Sequence, residues 1–128
     1  LNVLHGLPHE HLKQILQDTE RRGIAVGHFN ITNLEMLKAI SEAAAELKAP
    51  VIIGTSEKER EFIDIHEAVA LVKTLREKHG QPIFLNADHT HSLEKIKEAV
   101  KAGYDAVLFD GAKLPLEENI RQTKEVYR

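Results

Sequence analysis

The chain has 128 residues, 42% apolar and 29% charged, with a net charge of −3 and no cysteine. That is enough for one modest domain with a core. It excludes disulfides and thiolate metal sites, and fits a cytoplasmic setting. Lys and Arg are interleaved with Glu instead of forming a stripe, so no nucleic-acid partner is expected. No apolar run approaches the roughly 20 residues of a membrane span, and the start, LNVLHGLPHEHLKQ, lacks the pattern of a signal peptide.

Residues 9–21 place Leu12, Ile15, Leu16 and Thr19 on one stripe and are expected to be helical. GIAVGHFNI (23–31) is then the first strand. Residues 33–48 follow as a helix carrying Leu34, Leu37, Ile40, Ala44 and Leu47, with Thr32 and Glu35 spaced as a capping box. APVIIGTS (49–56) is the second strand, and EKERE after it reads as a solvated loop. Residues 65–78 form a helix that Asp64 can cap. PIFLNAD (82–88) is the third strand. Residues 93–102 form a helix between Ser92 as N-cap and Gly103 as the stop. AVLFDG (106–111) is the fourth strand, and residues 116–127 a last helix with Leu116, Ile120 and Tyr127 inward.

Near-continuous apolar runs alternating with helices predict α/β architecture: a parallel sheet with right-handed crossovers. Two arrangements fit, an open doubly wound sheet or part of a (β/α)8 barrel. A whole barrel needs roughly 250 residues. The expectation is therefore one α/β domain over residues 1–128. It comprises an N-terminal helical region (1–22) and four βα units (23–128), and RQTKEVYR stops in mid-helix as a cut chain would.

In both arrangements ligands bind at the C-terminal ends of the strands. Those ends carry His28, Phe29 and Asn30, then Thr55, Ser56 and Glu57, then Asn86, Asp88, His89 and His91, and finally Asp110. His89 and Asp110 are donors suited to a cation such as zinc. On extended backbone the side chains of Asp88 and His89 diverge, so one can face a metal and the other a substrate. The plain alternatives are capping by Asn30, Thr32 or Asp88, a loop start at Asp110-Gly111, and surface histidines at 5, 9, 11, 66 and 79.

From about Gly23 onward, GIAVGHFNITNLEMLKAISEAAAELKAPVIIGTSE and NADHTHSLEKIKEAVKAGYDAVLFDGAKLPLEENIRQTKEV carry a family pattern. The Asp-His pair after the third strand and the FDG…LP.EEN run are its specific markers. In these the chain resembles the class II, zinc-dependent fructose-bisphosphate and tagatose-bisphosphate aldolases. The resemblance implies the N-terminal half of a (β/α)8 barrel. It implies that Asp88 is the acid/base of aldol cleavage, and that His89 is one of three zinc histidines. Asp110 would be tied to a second metal or monovalent cation position, while Asn30 and Ser56 line the dihydroxyacetone phosphate half of the site. It also implies a sugar phosphate substrate and a homo-oligomer, dimer or tetramer.

Such chemistry uses zinc as a Lewis acid for the charge left by cleavage and a carboxyl group for the hydroxyl proton. Three departures bear on the substrate: Ala112-Lys113 where the family has Ser-His, His28 where a small or glutamine-like residue is usual, and EKEREF where glycine is commoner. Two other zinc histidines and the phosphate loops belong to a second half-barrel, so this stretch alone is expected to be inactive. Two further readings stand beside this one. One is a non-catalytic half-barrel that dimerises through its open edges. The other is a barrel relative using the same rim for another carbonyl substrate.

Overall fold

A computed structural model describes residues 12–127. The elements run α1 (Leu12–Arg21), β1 (Gly27–Asn30), α2 (Leu34–Leu47), β2 (Val51–Thr55), α3 (Glu57–Ile63), α4 (Ile65–His79), β3 (Ile83–Thr90), α5 (Leu93–Ala102), β4 (Ala106–Phe109) and α6 (Leu116–Tyr127). The expected helical residues 9–11, and His5, His9 and His11, lie outside the described residues.

All strand pairs are parallel, and the order in the sheet is β1-β2-β3-β4. Each strand therefore lies beside its chain neighbour, with no reversal of direction across the sheet. A doubly wound sheet has such a reversal; the wall of a (β/α)8 barrel does not. Helices α2, α4, α5 and α6 follow one another as neighbours.

The core lies between the sheet and those helices. Val51 and Ile53 of β2 and Ile83, Leu85 and Ala87 of β3 pack with Leu37, Ala44, Ala68, Val72, Leu75 and Ala99. Period-two alternation sends the intervening residues to the opposite face. There Asn30 pairs in register with Gly54, and Gly54 with Asn86. At the N-terminal end of the strands, Asp105 ties α4, β3 and β4 together. Its carboxylate accepts from Leu85 N and from the Arg76 guanidinium, both at 2.8 Å. The Tyr104 hydroxyl lies 2.9 Å from the Thr55 hydroxyl, and both residues are buried.

Asp64, Ser92 and Gly103 cap as expected. Asp64 accepts from His66 N and Glu67 N, Ser92 accepts from Lys95 N, and Gly103 adopts the left-handed conformation at the end of α5. The cap of α2 is Asn33, whose side chain accepts from Met36 N, and not Thr32. Four further expectations need correction. β1 begins at Gly27, so residues 23–26 precede it. β3 runs on to Thr90. EKERE is helical, not a solvated loop. Finally, α6 buries none of its residues: Leu116 is 74% exposed and Tyr127 93%. An apolar stripe faces inward only where a second surface meets it, and no such surface covers this one among the described residues.

Candidate active site

The geometry of the rim is set by a bulge in β3. Ala87 pairs with Val107 and Thr90 with Phe109, so β3 spends one more residue than β4 over the same span. His89 takes up the difference with φ of +43°. A left-handed conformation costs a non-glycine residue about 1–3 kcal/mol, so surrounding contacts must hold it. Thr90 Oγ1 donates back to Ala87 O at 3.2 Å, and Asp110 N donates to Thr90 O at 2.8 Å.

The bulge overturns the expectation that Asp88 and His89 diverge. His89 Nε2 lies 3.9 Å from Asp88 Oδ2, and His89 Nδ1 lies 2.9 Å from Asp110 Oδ2. Asn30 Nδ2 donates to Asp88 Oδ2 at 3.1 Å. Four residues from three strand ends are thus joined: Asn30, Asp88, His89 and Asp110. His91 borders the group, with Nδ1 3.2 Å from Asp110 O. Ser56 makes no direct bond to it. As first residue of a capping box, Ser56 donates its backbone N–H to Glu59 Oε2 at 2.5 Å, and that carboxylate lies 3.5 Å from Asn30 Nδ2.

Gly54 permits the approach of β1's side chains. A Cβ there would stand 2.4 Å from Asn30 Oδ1 and 2.6 Å from His28 Cε1, so only glycine lets both side chains cross β2. One step further down the same face, His28 Nε2 lies 3.1 Å from Asn86 Nδ2.

With EKERE expected as a loop, the residues alone give Glu59 and Arg60 no role at the site. A signal was there: Ser56 and Glu59 have the S-x-x-E spacing of a helix start.

The hydrogen bond from Asp110, and then the charge of Asp88, raise the pKa of His89 above its ordinary 6.5. The same bond, followed by one from Ala112 N, lowers Asp110 below its ordinary 3.8. The sign follows. His89 contributes stability that is fully present below about pH 6.5 and lost as pH rises through its raised midpoint. Asp110 contributes stability present above its ordinary value and lost as pH falls through its lowered one. In chelator-treated protein, the His89 imidazole should titrate above 6.5 by NMR, and Asp110→Asn should bring it back down. An unchanged midpoint in that variant would refute the coupling.

With Nδ1 engaged by Asp110, His89 leaves Nε2 open. A carboxylate orienting an imidazole in this way is the usual support of a metal ligand, so the donor chemistry fits zinc. It fits as one ligand of a larger set. Tetrahedral zinc takes at least three protein ligands, and no group of three His, Cys, Asp or Glu able to hold a metal occurs among the described residues.

The family model for class-II fructose-bisphosphate aldolase matches residues 10–128. The chain belongs to that family. It is 39% identical over 123 residues to a fructose-bisphosphate aldolase of Staphylococcus aureus, covering 94% of this chain and 43% of that one. It is equally 39% identical over 118 residues to a 6-phospho-5-dehydro-2-deoxy-D-gluconate aldolase of Bacillus licheniformis, covering 90% and 40%. Among solved structures, the YdjI aldolase of Escherichia coli K12 superposes with a TM-score of 0.77 at 32% identity, over 86% of this chain and 42% of that one. A putative fructose-1,6-bisphosphate aldolase of Coccidioides immitis gives 0.82 at 25%, over 94% and 42%. The chain spans less than half the length of these class-II aldolase relatives and corresponds to the N-terminal half of their barrel.

Proposed function

We propose that these residues serve a metal-dependent aldolase, a carbon–carbon lyase. It would reversibly cleave a ketose 1,6-bisphosphate to dihydroxyacetone phosphate and glyceraldehyde 3-phosphate. The observation that carries this reading is the junction of Asn30, Asp88, His89 and Asp110 at the C-terminal rim of a parallel wall. Membership of the class-II family supports it.

In this reading Asp88 accepts the proton of the C4 hydroxyl as the bond breaks. In the reverse direction it returns that proton to the aldehyde oxygen. Asn30 holds Asp88 Oδ2 by its amide, which leaves the other carboxylate oxygen for the substrate. His89 would hold zinc through Nε2 with Asp110 orienting its ring, and Asp110 also borders the position of a second metal or monovalent cation. Zinc, when bound, supplies Lewis-acid stabilisation of the negative charge that cleavage leaves. Asn30 and Ser56 line the side taken by the dihydroxyacetone phosphate half.

Equal identity to a fructose-bisphosphate aldolase and to a deoxygluconate-phosphate aldolase supports a phosphorylated sugar as the substrate class, and the ketose 1,6-bisphosphate is the member of it proposed here. A homo-oligomer, dimer or tetramer, working in cytoplasmic sugar metabolism belongs to the same proposal. No described helix is long and apolar enough to cross a membrane.

A second reading, a non-catalytic half-barrel pairing with another copy, draws on β1 and β4. Each has a single strand neighbour in this sheet, and Phe29 on β1 and Leu108 on β4 are 49% and 43% exposed. One experiment separates the two. The full-length protein is given fructose 1,6-bisphosphate, tagatose 1,6-bisphosphate and 6-phospho-5-dehydro-2-deoxygluconate, before and after chelation. We expect cleavage of at least one, its loss on chelation and its return with zinc. Turnover indifferent to chelator overturns the metal assignment, and no turnover on any of the three favours the second reading.

A further inference from the structure

We propose that Arg60 is a positioning residue for the Asp88–His89 pair, acting through the β3 bulge. This rests on the reading above, in which those two residues carry the chemistry.

Arg60 lies on α3 and is 8% exposed. Burying a guanidinium is costly unless its donors are well used. Its two terminal nitrogens donate to neutral oxygens at the ends of two strands. Nη1 donates to Thr55 O, the last residue of β2, and to Asp88 O at 3.3 Å. Nη2 donates to the hydroxyl of Thr90, itself fully buried, at 2.8 Å. Asp88 and Thr90 are the residues on either side of His89. The fork therefore grips the chain before and after the one left-handed residue of the bulge. Thr90 passes the grip on, since its hydroxyl donates to Ala87 O.

The arrangement explains why a charge is buried at a place where no counter-ion bond reaches it among the described residues. A planar fork can span two strand ends and both flanks of a bulge; a lysine ammonium is a single point with no fixed fork. Histidine tolerates the left-handed region better than most residues, but it still prefers negative φ, so the clamp is what holds His89 there. An extended path would send Asp88 and His89 to opposite faces, and the 3.9 Å approach of His89 to Asp88 would be lost.

The test uses Arg60→Met, Arg60→Lys and Thr90→Val in the full-length protein. Steady-state cleavage is measured together with the backbone ¹³C shifts of His89, which report its φ. We expect Arg60→Met to lower kcat by about 10–100-fold, the scale of misplacing a reacting group by an ångström. KM should change less than twofold, and the His89 shifts should move toward extended values. Arg60→Lys should recover part of both losses, and Thr90→Val should move both readouts in the same direction as Arg60→Met. A folded Arg60→Met protein with kcat within twofold of the parent and His89 shifts unchanged overturns the proposal. Should Arg60→Met fail to fold, Arg60→Lys and Thr90→Val decide by the same criteria. If the parent protein cleaves no sugar phosphate, the functional reading fails while the His89 shifts still judge the clamp.

Discussion

Asp88→Asn in the full-length protein is expected to reduce aldol cleavage by about 10²–10⁴-fold, the usual contribution of a positioned general acid–base group. The substitution keeps size and shape but removes the group able to take a proton. It leaves a hydrogen-bonding oxygen for the Asn30 amide, which now donates to Asp88 Oδ2 at 3.1 Å. The fold should therefore survive. Asp88 sits on the bulge of β3 with its backbone carbonyl held by Arg60, so the anchoring of its main chain does not depend on the carboxylate. The loss should fall on kcat and not on KM, because a proton in flight is a feature of the transition state and not of the bound ground state. The measurement is steady-state release of dihydroxyacetone phosphate with a circular dichroism spectrum beside it. Turnover within threefold of the parent, in a folded variant, removes Asp88 from the chemistry and with it the main residue-level argument for an aldolase site here.

Ile53→Ala is expected to destabilise the protein by about 2–5 kcal/mol, the range for truncating a buried aliphatic side chain to Ala. Ile53 is fully buried at the middle of β2, an inner strand of the four-strand sheet. It pairs in register with Phe29 on one side and Leu85 on the other. It belongs to the same core cluster as Leu37, Ala44, Ile83 and Leu85. Strand backbones on both sides are fixed by parallel hydrogen bonding, so the walls of the cavity cannot collapse freely and the cost should lie above the low end. The check is a urea unfolding curve, read as a shift in midpoint at constant slope. A shift worth less than about 1 kcal/mol would mean that the site relaxes as a surface position does, and that the helix-facing side of β2 is not the core.

Much of the site was legible because strand ends announce themselves. Asn30, Ser56, Asp88, His89 and Asp110 each follow an apolar run, and parallel α/β folds gather such ends at one rim. What could not be read was how the rim closes. Alternation along an extended strand put Asp88 and His89 on opposite faces, and His89 at +43° instead turns the pair together. No glycine or asparagine marks that left-handed position, and histidine's modest tolerance of it is a weak cue; the device that holds it, Arg60, is 28 residues from Asp88 in the chain. α3 was missed for a related reason. Its seven residues EKEREFI carry five charges and little apolar periodicity, and its one buried side chain is the arginine itself.

The sequence by itself determined the alternation of strands and helices apart from α3, the helix caps at Asp64, Ser92 and Gly103, the parallel sense of the strands and the polar rim. These depend on periodicity over a few residues, on side chains bonding to adjacent backbone, and on glycine's tolerance of positive φ. The tertiary structure alone decided the strand order β1-β2-β3-β4, which makes the sheet a barrel wall and not a doubly wound sheet. It alone decided the bulge that joins Asp88, His89 and Asp110. Both depend on hydrogen bonds between segments distant in the chain: a βα unit can set its next strand on either side of a sheet without any change in its local pattern, and a bulge is defined only by the partner strand it is out of step with.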